Sequence, residues 1–529
     1  VPADIRTRYD AVVIGGGHNG LIAASYLVRA GRSVLVLERN EWLGGATTSQ
    51  RVFPEFDARL SRYAYLISLL SPIILEELGL AFETRRRSIA SFTAYERDGR
   101  QQGLVLSNID PAVSRASLAE LTGDDTSWRQ YQRFQSVAQA FAELVWPGML
   151  EPLRTREWWK AQCTTPLLQE AWQGIVEQPL GQMLERHVSD DVLRGLLFTD
   201  AKIGVLTDPD DATLLQNRCY MYHIIGNGTG EWRVPVGGMA ALVDALLTLL
   251  RGSGATVLAR APATGLHLDG TRHTVTFERD GSARSVDADR VLLATGARTT
   301  ARLLGEPWEA DPGDEGSVVK ANMLLRRLPR LKAGIDPTTA FTGSFHVDEG
   351  YEAMRRSARE ARAARVPGRP PFETYCHSLT DPTILGSDLV ERGFHTLTLF
   401  GLDAPYRTFA GGDAGATDLF TQRYLEALDR VTDEPFLDCL AHDSQGRPCL
   451  EVKSPVDLER EVDLDAGNIF HTAPSWFFTD DRGAAGTWGV ETGYRGIYRC
   501  GSSVLRGGAV SGIPGRMAAQ CIFSEEGIA

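Results

Sequence analysis

A chain of 529 residues exceeds what one compact core of ordinary size holds, so two intergrown domains are expected. Hydrophobic residues at 43% and charged residues at 23% exclude a disordered or fibrous chain. The net charge of −13 argues against a general nucleic-acid binder, because phosphate contacts need clustered Lys and Arg, and points instead to small-molecule partners.

From Tyr9 the text reads as a strand (DAVVI), a glycine turn (GGGHNG), a helix (LIAASYLVRAG) and a second strand (SVLVLERN), which is a βαβ opening. Between about 110 and 230, Trp, Gln, Leu and Arg recur with helical spacing, so an inserted helical region is expected. VPVGGMAALVDALLTLLRGSGATVLAR then gives a helix and a strand, and DADRVLLATGA gives a short apolar strand, so the first domain resumes. From Ser317 to about Asp457, alternating or aromatic strands suggest a second sheet. The end, GIYRCGSSVLRGGAVSGIPGRMAAQCIF, reads as strand, glycine loop and closing helix. The fold class is therefore α/β: a Rossmann-type domain from 1–109, 231–316 and 458–529, and a second α+β substrate domain with helical insertion from 110–230 and 317–457.

Seven scattered cysteines without a C-x-x-C pair indicate neither a disulfide scaffold nor a metal site, and suit a reducing compartment such as the cytoplasm. The longest apolar stretch, Tyr63 to Leu80, is broken by Pro72, Glu76 and Glu77, whereas a spanning helix wants about 20 apolar residues. The opening Val-Pro-Ala-Asp shows no basic-then-apolar leader pattern. Arg355 to Arg369 could face an anionic membrane, but an acidic protein with few apolar residues there favours a solvated surface, and Arg85 to Arg87 read the same way.

Gly15, Gly17 and Gly20 form G-x-G-x-x-G. The first allows a tight turn, the second lets the backbone approach a pyrophosphate, and the third lets helix and strand pack closely. The helix opening through His18 and Asn19 aims amides and a positive dipole end at phosphates. Glu38, at the end of the second strand, is placed to accept hydrogen bonds from ribose hydroxyls. These elements in register predict dinucleotide binding. The run Glu38-Arg39 through Gly44-Gly45-Ala46-Thr47 adds a second glycine turn that NAD domains do not require.

That pattern resembles the flavoprotein superfamily of phytoene desaturases and amine oxidases, and is nearest the phytoene desaturase-like members. The resemblance rests on GGGHNGL, the FPEFD segment, VPVGGM, SLTDP and CGSSVLRGGAVSGIPGRMAA, and spans nearly the whole chain. It implies FAD held by both glycine turns, with Ala263 near the adenine and Ala294, Thr295 and Gly296 at a second strand end. Relatives often carry Val where Ala263 stands, so that contact rests on backbone. Gly501, Ser502, Val510, Ser511 and Gly512 are implied to border the flavin. The cysteine anchor of covalent amine oxidases has no counterpart in the terminal loop, so FAD is expected to be non-covalent.

Catalytic candidates implied by the resemblance are His471 and Trp476, in the segment before the terminal loop, and Arg59, after the second glycine turn. Tyr222 and His223 are read as packing residues that could instead line a pocket. With no second G-x-G-x-x-G unit and no redox cysteine pair, electrons are expected to enter the flavin from substrate, not from a nicotinamide, and to leave to oxygen, a quinone or another acceptor. The implied activity is removal of two hydrogens from an apolar or alicyclic substrate. A flavin amine oxidase, with an aromatic cage around the amine, is the alternative, and an FAD-containing binding protein without activity is a third.

Overall fold

The Val/Ile run before the first glycine turn forms the strand Arg8–Ile14, followed by the helix His18–Arg29 and the strand Val34–Leu37. Strand and helix residues there are almost wholly buried, as expected of a parallel sheet covered on both faces. In this computed structural model, which describes residues 5–411 and 414–528, Arg8–Ile14 pairs in parallel with Val34–Leu37 on one side and with Ser282–Leu293 on the other. Thr256–Leu258 adds beyond Val34–Leu37, and Ile497–Arg499 pairs in parallel with Ser282–Leu293. Ala263–His267 and His273–Arg279 complete the sheet as an antiparallel meander. Chain separated by hundreds of residues thus meets in one Rossmann-type sheet. The helices Ala240–Gly252 and Ile513–Glu526 pack against His18–Arg29.

A second seven-stranded sheet runs in the order Leu450–Lys453, Ser317–Leu325, His395–Pro405, Phe372–Tyr375, Ser344–Val347, Ile89–Arg97 and Arg100–Ser107. The hairpin 89–107, expected with the first domain, lies in this sheet, where Ile89–Arg97 pairs in parallel with Ser344–Val347. Its antiparallel pattern carries no signal for which sheet it joins. One face presents Val319, Ala321, Leu399, Phe345 and Phe372 to a core shared with Phe420 and Tyr424 of the helix Ala414–Val431. The other face is buried too, against the helical region that contains Thr126–Val145, Leu180–His187, Asp191–Phe198 and Leu215–Ile224. That doubly covered face floors the principal cavity.

Among the described residues no helix is long and apolar enough to cross a membrane, and all seven cysteines are free and buried. The Arg-rich segment forms the helix Tyr351–Arg362 and the loop after it. Arg355 pairs with Glu185 and Asp210, Arg362 with Asp208 and Asp211, and Arg369 with Asp348, so three of its six arginines are paired within the fold.

Candidate functional site

The three glycines of the first turn have three separate causes. Gly15 has φ +106°, and a Cβ there would lie 2.4 Å from the Ala294 carbonyl oxygen. A Cβ on Gly20 would lie 2.3 Å from the Gly15 carbonyl oxygen, so helix and strand touch only because it is glycine. Gly17 is different. Its φ of −69° and ψ of 165° suit any residue, and a Cβ would meet nothing within 4 Å. The protein gives no internal reason for a glycine there, and the space above it belongs to a cavity of 190 Å³. The second turn is bonded to the first, since Gly44 N donates to Gly16 O at 2.7 Å. Glu38 is buried and accepts from the amides of Gly16 and Asn40, both at 2.8 Å; burial raises its pKa against those two bonds.

This cradle brings together most of the residues singled out in the sequence: Gly15, Gly17, His18, Asn19, Gly20, Glu38, Arg39, Gly44, Gly45, Ala46, Ala263, Ala294, Thr295, Gly296, Gly501 and Ser502 all line it. Asn19 donates to Ser502 Oγ at 3.0 Å, tying the first helix to the terminal loop, while its Oδ1 is buried without a partner. The donor set, the free space at Gly17 and the buried carboxylate at the strand end fit a dinucleotide with its pyrophosphate over the glycines.

A second cavity, of 630 Å³, shares His18, Ala46, His471 and Ser502 with the cradle, so the two spaces meet there. Thr47 and Val510 border this larger cavity, not the cradle. Ser511 and Gly512 line neither: the Ser511 hydroxyl accepts from Ile513 N, at the start of the closing helix, at 3.2 Å. Cys500, one residue before the terminal glycine loop, is fully buried and faces neither cavity, so it is no anchor for a flavin.

At the junction His18 is held by Thr47 Oγ1 at 3.0 Å and by the Ala509 carbonyl at 3.2 Å. Burial, and then the neighbouring His471, push its pKa down to about 4. His471 sits at φ +68°, with Nδ1 buried and unpartnered, and burial lowers its pKa to about 4 as well. Both imidazoles are therefore neutral at physiological pH.

Two catalytic candidates are displaced. Ala58 and Leu60 point inward, so by strand alternation Arg59 points to solvent and lines neither cavity. Trp476 stacks on Phe478 at 5.6 Å, within an aromatic cluster with Trp172 and Phe477, and also lines neither. Tyr222 and His223, read as packing, do border the larger cavity. Arg87, read as surface, is 8% exposed and faces it too.

The strongest missed signal lies on the second sheet. Register aligns Lys320, Phe400, Glu373 and His346 in one row across four strands, about 14 Å from end to end at the usual strand spacing. All four border the large cavity. Lys320 donates to the carbonyls of Ser61, at 2.7 Å, and Tyr63; burial holds its pKa well below the usual lysine range. His346 Nδ1 lies 2.5 Å from Glu349 and 3.7 Å from Glu373. Burial alone would lower His346, but the two carboxylates outweigh it and raise it to about 9, whereas burial raises Glu373 to about 7. Glu373 also accepts from Tyr375 and, at 3.2 Å, from Thr199. His346, Glu349 and Glu373 could together ligate a metal ion, but the short bond from a protonated imidazole already pairs these charges. Lys and Asn two apart in SVVKANMLL, and Glu and Tyr two apart in FETY, are the alternation that marks a second, polar face.

Residues 20–372 match the model of the flavin containing amine oxidoreductases. An uncharacterized protein of Mycobacterium tuberculosis, Rv0897c, is 39% identical over 98% of this chain and 97% of its own length. The pyridine nucleotide-disulfide oxidoreductase domain-containing protein 2 of Rattus norvegicus is 28% identical over 98% of this chain and 94% of its own. A putrescine oxidase solved with putrescine shares the fold with a TM-score of 0.57 at 18% identity, covering 98% of this chain and 99% of that one. The glycine cradle, the Rossmann-type sheet and these likenesses lead to one conclusion: the chain belongs to the flavin-containing amine oxidoreductase family and is an FAD-dependent oxidoreductase.

Proposed function

We propose that the protein oxidises an amine, removing a hydride from the carbon beside nitrogen and leaving a C=N bond that water opens to a carbonyl compound. The observation that carries this reading is the chemistry of the large cavity. Its floor holds Lys320, Glu373 and His346, its walls hold Arg87 and Asp200, and Tyr65, Tyr375 and Phe400 lie among them. Burying a hydrocarbon against these polar side chains gains nothing, whereas an amine finds hydrogen-bond acceptors and aromatic faces there. A fold shared with a putrescine oxidase supports the same reading.

FAD, when bound, supplies the hydride acceptor. The chain's own part is to shape and dry the place where the two cavities meet. Low polarity around the neutral His18 and His471 favours the neutral amine, whose nitrogen lone pair must form the new bond. The Nδ1 of His471 is a buried, unpartnered polar atom on that wall, and we place substrate nitrogen against it. Lys320 fixes the main chain at Ser61 and Tyr63, which carries Tyr63 and Tyr65 into the cavity. Turnover needs an external acceptor, dioxygen or a quinone.

Dehydrogenation of a carbon–carbon bond, as the phytoene desaturase-like resemblance implies, is the second reading. It is favoured by the apolar part of the wall, where Leu66, Leu69, Ala138, Leu196 and Leu197 face the same space. A panel of primary and secondary amines and alicyclic alkenes, tested with the purified yellow protein and an artificial electron acceptor, separates the two. Amine-dependent acceptor reduction with release of aldehyde or ketone is expected. Reduction by alkenes alone would refute the amine reading.

A further inference from the structure

The terminal loop after Cys500 borders both cavities: Gly501 and Ser502 line the cradle, and Ser502, Gly508, Ala509 and Val510 line the larger space. In its middle Arg506 turns away from both. It is the largest side chain among the described residues less than 2% exposed, and its backbone sits at φ +63°, the left-handed region that a residue with a Cβ enters under strain. The contacts of the side chain must outweigh that strain. Nη1 donates to the carbonyls of Gly148, at 3.1 Å, and Glu151, at 2.5 Å, and Nη2 to that of Trp488 at 3.1 Å, while the main-chain N donates to Ser475 Oγ at 3.1 Å. Gly148 and Glu151 lie in and just after the turn Trp146–Leu150, which ends the helix Thr126–Val145, where main-chain carbonyls lack partners and a cation is favoured. Burial lowers the guanidinium's pKa to about 10, with Tyr222, Glu491 and Glu151 acting against it, so the group stays a cation at neutral pH.

What this anchoring fixes lies three residues further on. Past Gly507, whose amide donates to Val504 O at 2.9 Å, and Gly508, at φ +95° against Phe470, the Ala509 carbonyl faces His18 Nε2 at 3.2 Å. A carbonyl oxygen only accepts, so Nε2 carries the proton, and in the neutral ring Nδ1 accepts from the Thr47 hydroxyl at 3.0 Å. The Ala509 carbonyl thus sets both the tautomer and the orientation of an imidazole that borders both cavities. Ser502 is tied to Asn19, and between Ser502 and Ala509, among the described residues, Arg506 alone supplies side-chain hydrogen bonds.

We propose that Arg506 is a positioning residue: by anchoring the terminal loop to the carbonyls of Gly148, Glu151 and Trp488 it presets the Ala509 carbonyl, and through it His18, before the cofactor binds. This role requires FAD in the cradle and is the same for either substrate reading, so it stands or falls apart from the amine. Hydrogen exchange read by mass spectrometry on wild-type apoprotein and holoprotein should show the amides of residues 500–512 about equally protected in both. Arg506→Met, which keeps the bulk and loses the donors, should loosen that segment and weaken FAD binding by about ten- to a hundred-fold in an equilibrium titration, the loss expected when hydrogen bonds from a charged group are broken, and Arg506→Lys should recover part of it. A merely structural anchor would lower the melting temperature and leave the FAD affinity of the folded protein unchanged. Combined with His18→Ala, Arg506→Met should weaken FAD binding by a smaller factor than it does alone, because the two residues act as one unit. A loop protected only in the holoprotein, wild-type affinity in a folded Arg506→Met protein, or the same loss with and without His18 overturns the proposal. If Arg506→Met does not fold, Arg506→Lys takes its place in the cycle, and the exchange comparison on wild-type protein needs no variant.

Discussion

Replacing Gly17 by Val isolates the cofactor's claim on the glycine turn from the protein's own. The backbone at Gly17 already has ordinary angles, and a Cβ would touch no protein atom within 4 Å. The fold should therefore lose little, about 1 kcal/mol for a poorer residue at the start of the helix. The branched side chain instead enters the 190 Å³ cradle. Overpacking against an occupant costs about 1–3 kcal/mol, or roughly 5- to 150-fold in affinity, and Val should sit at the upper end because two methyl groups intrude where the backbone must be approached closely. Gly20→Val is the counterpart, since its Cβ would fall 2.3 Å from the Gly15 carbonyl oxygen and the fold itself has no room. FAD content after gel filtration, and thermal unfolding with and without added FAD, measure both effects. Wild-type protein should gain stability from FAD by mass action. Gly17→Val should emerge folded, with little bound FAD after gel filtration and a weakened stability response to added FAD, and Gly20→Val should not fold. Full FAD occupancy in Gly17→Val, or equal damage from the two substitutions, would refute the reasoning.

Glu38→Ala should weaken FAD binding by about ten- to a hundred-fold without abolishing it, measured by equilibrium titration of the apoprotein, because one buried charged acceptor is lost while the glycine turns remain. Acid precipitation should release all flavin into the supernatant, since Cys500 faces neither cavity; fluorescence kept in the pellet would contradict this. His346 is raised from 6.5 to about 9 in the fold, so its contribution to stability is fully present below about pH 6.5 and is lost as pH rises through about 9. The gap in melting temperature between wild type and His346→Gln should therefore narrow from pH 6 to pH 10, and a gap independent of pH would count against the buried ion pair.

The first domain was legible because each of its signals is local. A continuous apolar run, three glycines at fixed spacing and an acid at the next strand end are each dictated by backbone geometry, and the structure assembles the cradle from them. The substrate cavity was not legible in the same way. Its floor comes from strands such as Ser317–Leu325 and Phe372–Tyr375, whose polar residues alternate with apolar ones, as on a solvated sheet; only the helical cover turns that face into a cavity wall. Arg59 and Arg87 show the same limit in opposite directions. One looked like a site residue and the alternation between Ala58 and Leu60 turns it outward, while the other stood in a run of three arginines and is drawn in beside Ser344 and Tyr375. The aromatic segment around Trp476 was read toward the flavin, but packing against Trp172 and Phe478 takes it elsewhere.

The central claim, that electrons enter this flavoprotein from an amine, is tested most directly by anaerobic stopped-flow mixing of the holoprotein with amines, and separately with NADH and NADPH, while the oxidised flavin band is followed. The account predicts rapid, saturable bleaching by at least one amine. It predicts none by either nicotinamide, because among the described residues one G-x-G-x-x-G turn on one βαβ unit is present and the second sheet offers no other. Rapid saturable bleaching by NADH or NADPH, or a flavin that dithionite reduces and no amine does, would contradict it.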